Sequence, residues 1–137
     1  METKVFIRTA ALSFLMWIGC AAQALPSELD SISGAFSYAE DVSLPSNAIA
    51  YITLTDVSPL QHSSSEIIAR QIIHVTRQNP MTFELEYDPA RINEHHLYAI
   101  QVQIAAAGKV VVANSSAYPV ITQGHPTMIE VHIEQID

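Results

Sequence analysis

Apolar and polar residues alternate along most of the chain. The clearest run spans residues 81–87, where every second position is a large apolar side chain: Met81, Phe83, Leu85 and Tyr87. A period of two fits an extended strand with one buried and one wet face, whereas a helix would scatter these residues around every side. Burying each large apolar side chain contributes about 1.5–3 kcal/mol, so the run predicts a strand that packs against a second layer.

The same pattern predicts seven or eight short strands separated by turn residues. The segments are 31–38, 48–57, 66–76, 81–87, 97–106, 109–113, 118–121 and 127–136. Segment 66–76 also fits a helical period, but β-branched residues dominate it and favour a strand. Ala107-Gly108 predicts a hairpin turn. Because a single open sheet would leave one apolar face in water, we predict an all-β fold: an antiparallel β-sandwich, or a partly closed barrel.

The first 24 residues have the layout of an export signal. Lys4 and Arg8 precede an uncharged apolar run at 10–19, which is shorter than the roughly 20 residues that span a bilayer. We therefore predict a signal peptide at 1–24, a tether at 25–30 and a single β-sandwich domain at 31–137.

Two processing routes are open for this signal. Segment 22–24 (AQA) is a good cleavage site, with Ala24 as the last residue removed. Segment 18–20 (IGC) resembles the end of a bacterial lipobox, whose cysteine becomes the lipidated first residue, although Trp17 stands where lipoboxes usually carry leucine. Both routes predict a location in the cell envelope: the periplasm, or the outer membrane through a lipid on Cys20.

The net charge argues against certain binding partners, and the single cysteine excludes a disulfide within the folded part. Residues 25–137 hold 13 acidic and 4 basic side chains, a net charge of −9, which argues against binding nucleic acid or an anionic membrane surface. Cys20 is the single cysteine and lies in or next to the signal, so no disulfide can form within the folded part. Stability must therefore come from an apolar core.

Histidines and acidic residues are the first candidates for metal chemistry. His95 and His96 are adjacent, so in an extended segment they point to opposite faces. Glu130, His132 and Glu134 share the outward face of the last predicted strand at about 7 Å per step, which a solvated polar face explains without a metal. No metal ligand is predicted.

Catalytic patterns are equally weak. Glu84 and Glu86 share one strand face, which solvated surface residues explain more simply than a catalytic carboxylate pair. No serine lies in a nucleophile elbow, and the four glycines form no phosphate-binding loop. We therefore predict a protein that is not an enzyme, with no catalytic residue and no cofactor.

The order of landmark residues resembles the YscW/YbaY family of bacterial envelope lipoproteins. The landmarks, over roughly residues 31–135, include Ser33-Gly34, Leu44-Pro45, Pro80, Phe83, Tyr87-Asp88, Gly108 and Tyr118-Pro119-Val120. The resemblance implies a compact β-sandwich. Some members look like pilotins, which bind the secretin of a type III secretion system and help it assemble in the outer membrane. YbaY-like members have no settled role, and the family supplies no catalytic residues.

Two functions stay open at this point. The first is a pilotin-like, chaperone-like module that binds an outer-membrane secretin or another envelope protein through a sheet edge or a groove. A partner segment could add there as a strand, and Tyr118-Pro119 predicts an edge because proline cannot donate to a ladder. The alternative is a periplasmic domain that binds a small molecule or lipid in the sandwich interior, which a large apolar cavity would support and a packed core would disfavour.

Overall fold

The computed structural model describes residues 28–58 and 66–136, which form two packed β-sheets. The predicted signal peptide, with Cys20 and Ala24, lies outside the described residues. The strands of the described part are β1 (Asp30–Ser37), β2 (Ile49–Asp56), β3 (Glu66–His74), β4 (Met81–Tyr87), β5 (Tyr98–Ala106), β6 (Lys109–Ala113), β7 (Tyr118–Val120), β8 (Met128–His132) and β9 (Glu134–Gln135). A 3-10 turn, Pro89–Arg91, follows β4. The predicted all-β sandwich is confirmed.

The two sheets differ in size and in strand direction. Sheet A has the order β4-β1-β8, and sheet B the order β3-β2-β5-β6-β9, with β7 pairing with β5 beside β6. Every pair in sheet B is antiparallel, whereas β1 and β8 run parallel, which differs from the predicted antiparallel pairing. A short hairpin forces antiparallel pairing, but strands β2 to β7 separate β1 from β8, so no hairpin sets their relative direction.

The last predicted strand is divided between the two sheets. β8 lies in sheet A and β9 in sheet B, with the buried Ile133 between them. The Ile133 amide donates to the carbonyl of Ser37 at 2.9 Å, which keeps the backbone paired where the chain crosses. Glu134 therefore belongs to sheet B and does not share a sheet face with Glu130 and His132, so that part of the prediction is wrong.

The inward faces of both sheets form one apolar core. Buried and exposed positions alternate along the whole of β4, as predicted. The largest side chains with almost no exposed surface are Tyr98, Phe36, Ile32, Ile52, Leu54, Leu85, Ile100, Ile104, Ile133, Val102, Val112 and Val120. Because these aliphatic and aromatic groups come from both sheets and pack together, the interior is a filled core. This packing disfavours a ligand site inside the sandwich.

The predicted hairpin between β5 and β6 is confirmed. Ala107 and Gly108 have φ values of 54° and 78°, the two positive angles of a type I′ turn. Glycine adopts such angles without a steric penalty, which explains why the chain reverses there.

The two sheets are joined along both of their open sides. The β8–β9 segment joins them on one side, and Arg91 joins them on the other. On this second side the edge strands β3 and β4 face each other. Arg91 bridges this second side because its guanidinium donates to the carbonyl of Ile68 at 2.9 Å and pairs with Glu66 at 3.0 Å. The molecule is therefore a sandwich that approaches a partly closed barrel.

The buried Tyr87, opposite Asp30 in the β1–β4 ladder, gives a pH-dependence prediction. Burial raises the pKa of the Tyr87 phenol above 10.0, and the Asp30 carboxylate raises that pKa further. Because the folded state holds this proton more tightly than the unfolded state, the free energy of unfolding should fall as the pH rises above about 10. We expect Tyr87→Phe to remove part of this fall.

Urea unfolding of both proteins at about pH 8 and about pH 11, followed by circular dichroism, measures this change. Tyr51→Phe, at a partly exposed position of β2, is the control and should behave like the unmodified protein. An equal alkaline loss in Tyr87→Phe and in the unmodified protein would contradict the prediction.

Candidate docking groove

The outer faces of the two sheets carry different chemistry. On sheet A, Glu84 and Glu86 of β4 and Glu130 of β8 point outward beside small residues of β1. On sheet B, the outward positions of β3, β2 and β5 are mostly aliphatic, hydroxyl and carboxamide side chains. Sheet A therefore presents an acidic surface, and sheet B a nearly uncharged one.

The outward residues of sheet B form three rows across β3, β2 and β5. In that strand order, the rows are Ile72, Tyr51 and Gln103; then Arg70, Thr53 and Gln101; then Ile67, Thr55 and Ala99. Cβ atoms that face each other across a ladder are about 4.5–5.5 Å apart, so each row is about 10 Å wide. The middle row places a guanidinium, a hydroxyl and a carboxamide side by side.

A β-bulge in β3 creates the third row. The register with β2 shifts between Leu54 and Thr55, so that Ile68 is an extra residue in β3. Ile68 consequently points inward and is buried, while Ile67 points outward and is 46% exposed. Without the bulge the two isoleucines would exchange faces.

The second and third rows, with Gln103 of the first row, line a groove of about 470 Å³. We call it the docking groove and define it by residues 53, 55, 57, 67, 70, 99–101, 103 and 114–117. Its floor is sheltered, since Thr53 is 8% and Ala99 is 6% exposed, while Ile67 and the neighbouring Ile72, which is 59% exposed, rise beside it. These exposed isoleucines beside a sheltered floor make the groove the candidate contact surface.

Asn114 fixes the loop that forms the far wall of the groove. Its Oδ1 accepts a hydrogen bond from the Val102 amide at 2.8 Å, and its Nδ2 donates to the carbonyl of Ser116 at 2.8 Å. Asn114 lies where β5 changes partner from β6 to β7, so its side chain replaces a ladder contact and also shapes the wall.

We expect Asn114→Ala to lower the free energy of unfolding by about 1–3 kcal/mol, because the buried Val102 amide loses its acceptor. Urea unfolding measures the loss, and hydrogen exchange should show faster exchange of the Val102 amide. Ser115→Ala, at an exposed position of the same loop, should change neither quantity. An unchanged Val102 exchange rate in Asn114→Ala would contradict the assigned hydrogen bond.

The adjacent histidines occupy different environments. His95 is exposed, and its Nε2 lies 4.0 Å from a carboxylate oxygen of Glu94. His96 is partly buried, and its Nδ1 lies 2.7 Å from Oδ2 of Asp56 at the end of β2. The hydroxyl of the buried Thr122 donates to the His96 carbonyl at 2.6 Å. These contacts hold the segment before β5 against its neighbours, and no sequence pattern indicated the His96–Asp56 pair.

The other acidic candidates, Glu84 and Glu86, are ordinary exposed residues of a strand. Glu84 and Glu86 alternate with buried residues on β4, and Glu84 accepts a hydrogen bond from the Ser31 hydroxyl at 3.1 Å. Within residues 28–58 and 66–136, no three His, Cys, Asp or Glu side chains converge in a way that could hold a metal ion. No helix in these two ranges is long and apolar enough to cross a membrane.

The predicted edge segment forms the short strand β7. It pairs with β5, and Pro119 lies opposite Ala99 of the groove floor. The Tyr118 hydroxyl accepts a hydrogen bond from the His132 amide at 2.9 Å, which ties β7 to the end of β8. β3, with nine residues, is the longer strand that ends sheet B, and it borders the groove.

The fold and the groove together define a small β-sandwich whose recess lies on the outside of one sheet. Sequence comparison then identifies the family: the profile of YscW, the type III secretion system lipoprotein chaperone, matches residues 27–133. The chain belongs to this YscW family, and the predicted resemblance is confirmed.

Two relatives agree with this assignment. The chain is 28% identical over 95 residues to YbaY of Escherichia coli (strain K12), described as an uncharacterized lipoprotein. That match covers 69% of this chain and 50% of YbaY, so the chain spans about half the length of this relative. The second is the structure of an alternative pilotin from the type II secretion system of Vibrio cholerae. Its TM-score is 0.73 at 28% identity, covering 80% of this chain and 99% of the pilotin.

Proposed function

We propose that the protein is a pilotin-like lipoprotein of the bacterial cell envelope that binds a secretin subunit and assists its assembly in the outer membrane. The observation that supports this most is the likeness to the Vibrio cholerae pilotin, which covers 99% of that chain at a TM-score of 0.73. Almost every part of the pilotin fold thus has a counterpart here. In this proposal the protein acts by binding and catalyses no reaction.

The docking groove supports a binding role. A chaperone for an outer-membrane subunit must cover apolar surface of its client and then release it. Exposed isoleucines beside a sheltered, hydrogen-bonding floor suit reversible contact better than a fully apolar surface, which would also bind unrelated chains. The filled core leaves the outer surface as the place for this contact.

Lipidation of Cys20 would place the groove within reach of the membrane. Nine residues lie between Cys20 and the start of β1 at Asp30, and the ten steps that join the two span about 33–36 Å when fully extended. One end of the chain would then be held by acyl groups while the folded domain remained free to bind a secretin subunit.

Fractionation of cells that express the protein or its Cys20→Ser variant tests the proposal. We expect the mature protein to carry a lipid-sized mass increment and to sediment with the outer membrane. The variant should lack the increment, and the secretin of the same bacterium should lose outer-membrane multimers. Complementation with the unmodified gene is the control. A soluble mature protein that begins at Leu25, with normal secretin assembly in its absence, would contradict the proposal.

A further inference from the structure

We infer that the docking groove binds an extended segment of its protein partner through a side-chain carboxylate, which Arg70 holds between flanking apolar side chains. The inference deepens the proposed function, because it specifies the chemistry that a client must present to the same groove. Its support comes from the charge, the exposure and the register of the residues around Arg70.

Arg70 is a charged group with no partner of its own. Among the described residues its side chain forms no hydrogen bond and no ion pair, whereas the guanidinium of Arg91 pairs with Glu66 and donates to two carbonyl groups. Glu84 and Glu86 line a crevice beside Arg70, yet neither forms an ion pair with it. Arg70 is the only charged side chain among the residues that line the docking groove, so its guanidinium is available to a ligand there.

The residues next to Arg70 in its row provide further hydrogen-bond donors. Thr53 lies directly opposite Arg70, and Gln101 lies directly opposite Thr53 on its other side. A guanidinium, a hydroxyl and a carboxamide can all donate to a carboxylate, and the guanidinium can do so with two parallel hydrogen bonds. The middle row therefore offers donors across about 10 Å, with the buried Thr53 between the exposed Arg70 and Gln101.

The negative charge of the whole molecule limits how many negative groups a ligand can carry. The sequence after the predicted signal has a net charge of −9, and the outer face of sheet A is acidic, so a strongly acidic partner would be repelled. Arg70 is a single positive charge in this acidic protein's groove, so the complementary ligand is a segment with a single carboxylate.

The exposed isoleucines on either side of Arg70 fix where that carboxylate lies within the segment. Ile72 is one row to one side of Arg70 and the exposed Ile67 is one row to the other. Alternate residues of an extended segment are about 7 Å apart, which matches the step between rows along a strand. A terminal carboxylate would leave one of the two isoleucines uncovered. The ligand therefore carries an internal Asp or Glu in the order apolar, any residue, acidic, any residue, apolar.

Selection from a random dodecapeptide library displayed on phage tests this chemistry without assuming which protein is the client. The bait is the full exported protein, unmodified or as Arg70→Glu, with Arg77→Glu as the matched control. Arg77 carries the same charge and is exposed, but it lies in the turn after β3 and outside the groove. The two variants change the net charge equally, so a difference between them reports on the groove.

We expect the unmodified protein and Arg77→Glu to enrich peptides with an internal acid between apolar residues. Fluorescence anisotropy of the best peptide should show binding weakened roughly 10- to 100-fold by Arg70→Glu, as for loss of a charged hydrogen-bond pair. Gln101→Glu, at an exposed position of the same row, should also weaken it. Replacing the peptide acid by lysine should restore binding to Arg70→Glu. Thermal unfolding by circular dichroism would show that the variants are folded.

The outcomes separate this inference from the proposed function. Peptides without an acid, equal binding by Arg70→Glu and Arg77→Glu, or no enrichment with the unmodified protein would each overturn the inference. A pull-down with the secretin of the same bacterium is scored independently. Capture of that secretin with equal strength by unmodified protein and Arg70→Glu would uphold the proposed function and overturn the inference. If no form bound the secretin while acidic peptides were still selected through Arg70, the inference would be upheld and the proposed function overturned.

Discussion

Replacing Phe36 by alanine is expected to lower the free energy of unfolding by about 3–5 kcal/mol. Phe36 has no exposed surface and lies on β1, the middle strand of sheet A, between Met81 of β4 and Val131 of β8. Neighbours on both sides hold the strand, so the structure can close little of the cavity that the ring would leave. Domains of this size are stable by about 5–15 kcal/mol, so the variant should lose a large part of its stability.

Urea unfolding followed by circular dichroism measures this loss, and Ile72→Ala is the matched control. Ile72 is a large apolar residue on a strand like Phe36, but it lies 59% exposed beside the docking groove. Its truncation should cost within about 0.5 kcal/mol, as is usual for surface positions. A comparable loss in both variants would show that the outer face of sheet B belongs to the folded core, and would remove the physical basis for the groove.

The contrast between these two residues shows what alternation along a strand can predict. In β4 the period of two is unbroken, and each apolar residue of the run is buried. Phe36 follows the same rule on β1. Alternation is a local property that depends only on the pleat of one strand, and it therefore predicted the all-β class and most strand positions correctly.

β3 shows where a local pattern becomes ambiguous. The bulge at Ile68 adds one residue, so the inward positions Ile68 and Ile73 are five residues apart instead of four or six. That interruption is why the segment also fitted a helical period. A bulge depends on the pairing with β2, so the sequence of β3 alone does not predict it.

The parallel pairing of β8 and its crossing to β9 depend on longer-range order. β1 and β8 are separated in sequence by almost the whole domain, and the crossing at Ile133 requires both sheets to be in place. Alternation predicts that Val131 and Ile133 face the core, which they do, but it does not tell which sheet each one belongs to. The inward direction of Val131 and Ile133 was therefore predictable, while the strand order was not.

The docking groove could not be predicted for the same reason. Arg70, Thr53 and Gln101 come from three strands, and only the register of sheet B brings them into one row. Each of the three is an ordinary outward residue in its own strand. The nearest sequence signal was the scarcity of basic residues, which makes a lone arginine on a predicted strand a reasonable candidate for contact with a negative group. The His96–Asp56 pair joins distant segments in the same way.

Gly34→Ala is expected to destabilise the protein by about 3 kcal/mol although it adds only one methyl group. Gly34 lies opposite Ile129 in the parallel β1–β8 pair, and a Cβ at this position would collide with the Ile129 carbonyl oxygen. A backbone oxygen cannot rotate away as a side chain can, so β8 would have to move as a strand. Since β8 continues through the buried Ile133 into sheet B, that displacement would disturb the connection between the sheets.

Urea unfolding should therefore show a lower midpoint for Gly34→Ala, and hydrogen exchange should show the largest loss of protection in the amides of β8. Ser33→Ala is the control, because its side chain points outward on the same strand and its backbone hydrogen bond to Thr127 does not involve the hydroxyl. It should unfold at the midpoint of the unmodified protein. If Gly34→Ala also kept that midpoint and the protection of β8, the close approach of β1 and β8 would be wrong, and with it the way the second sheet is joined to the first.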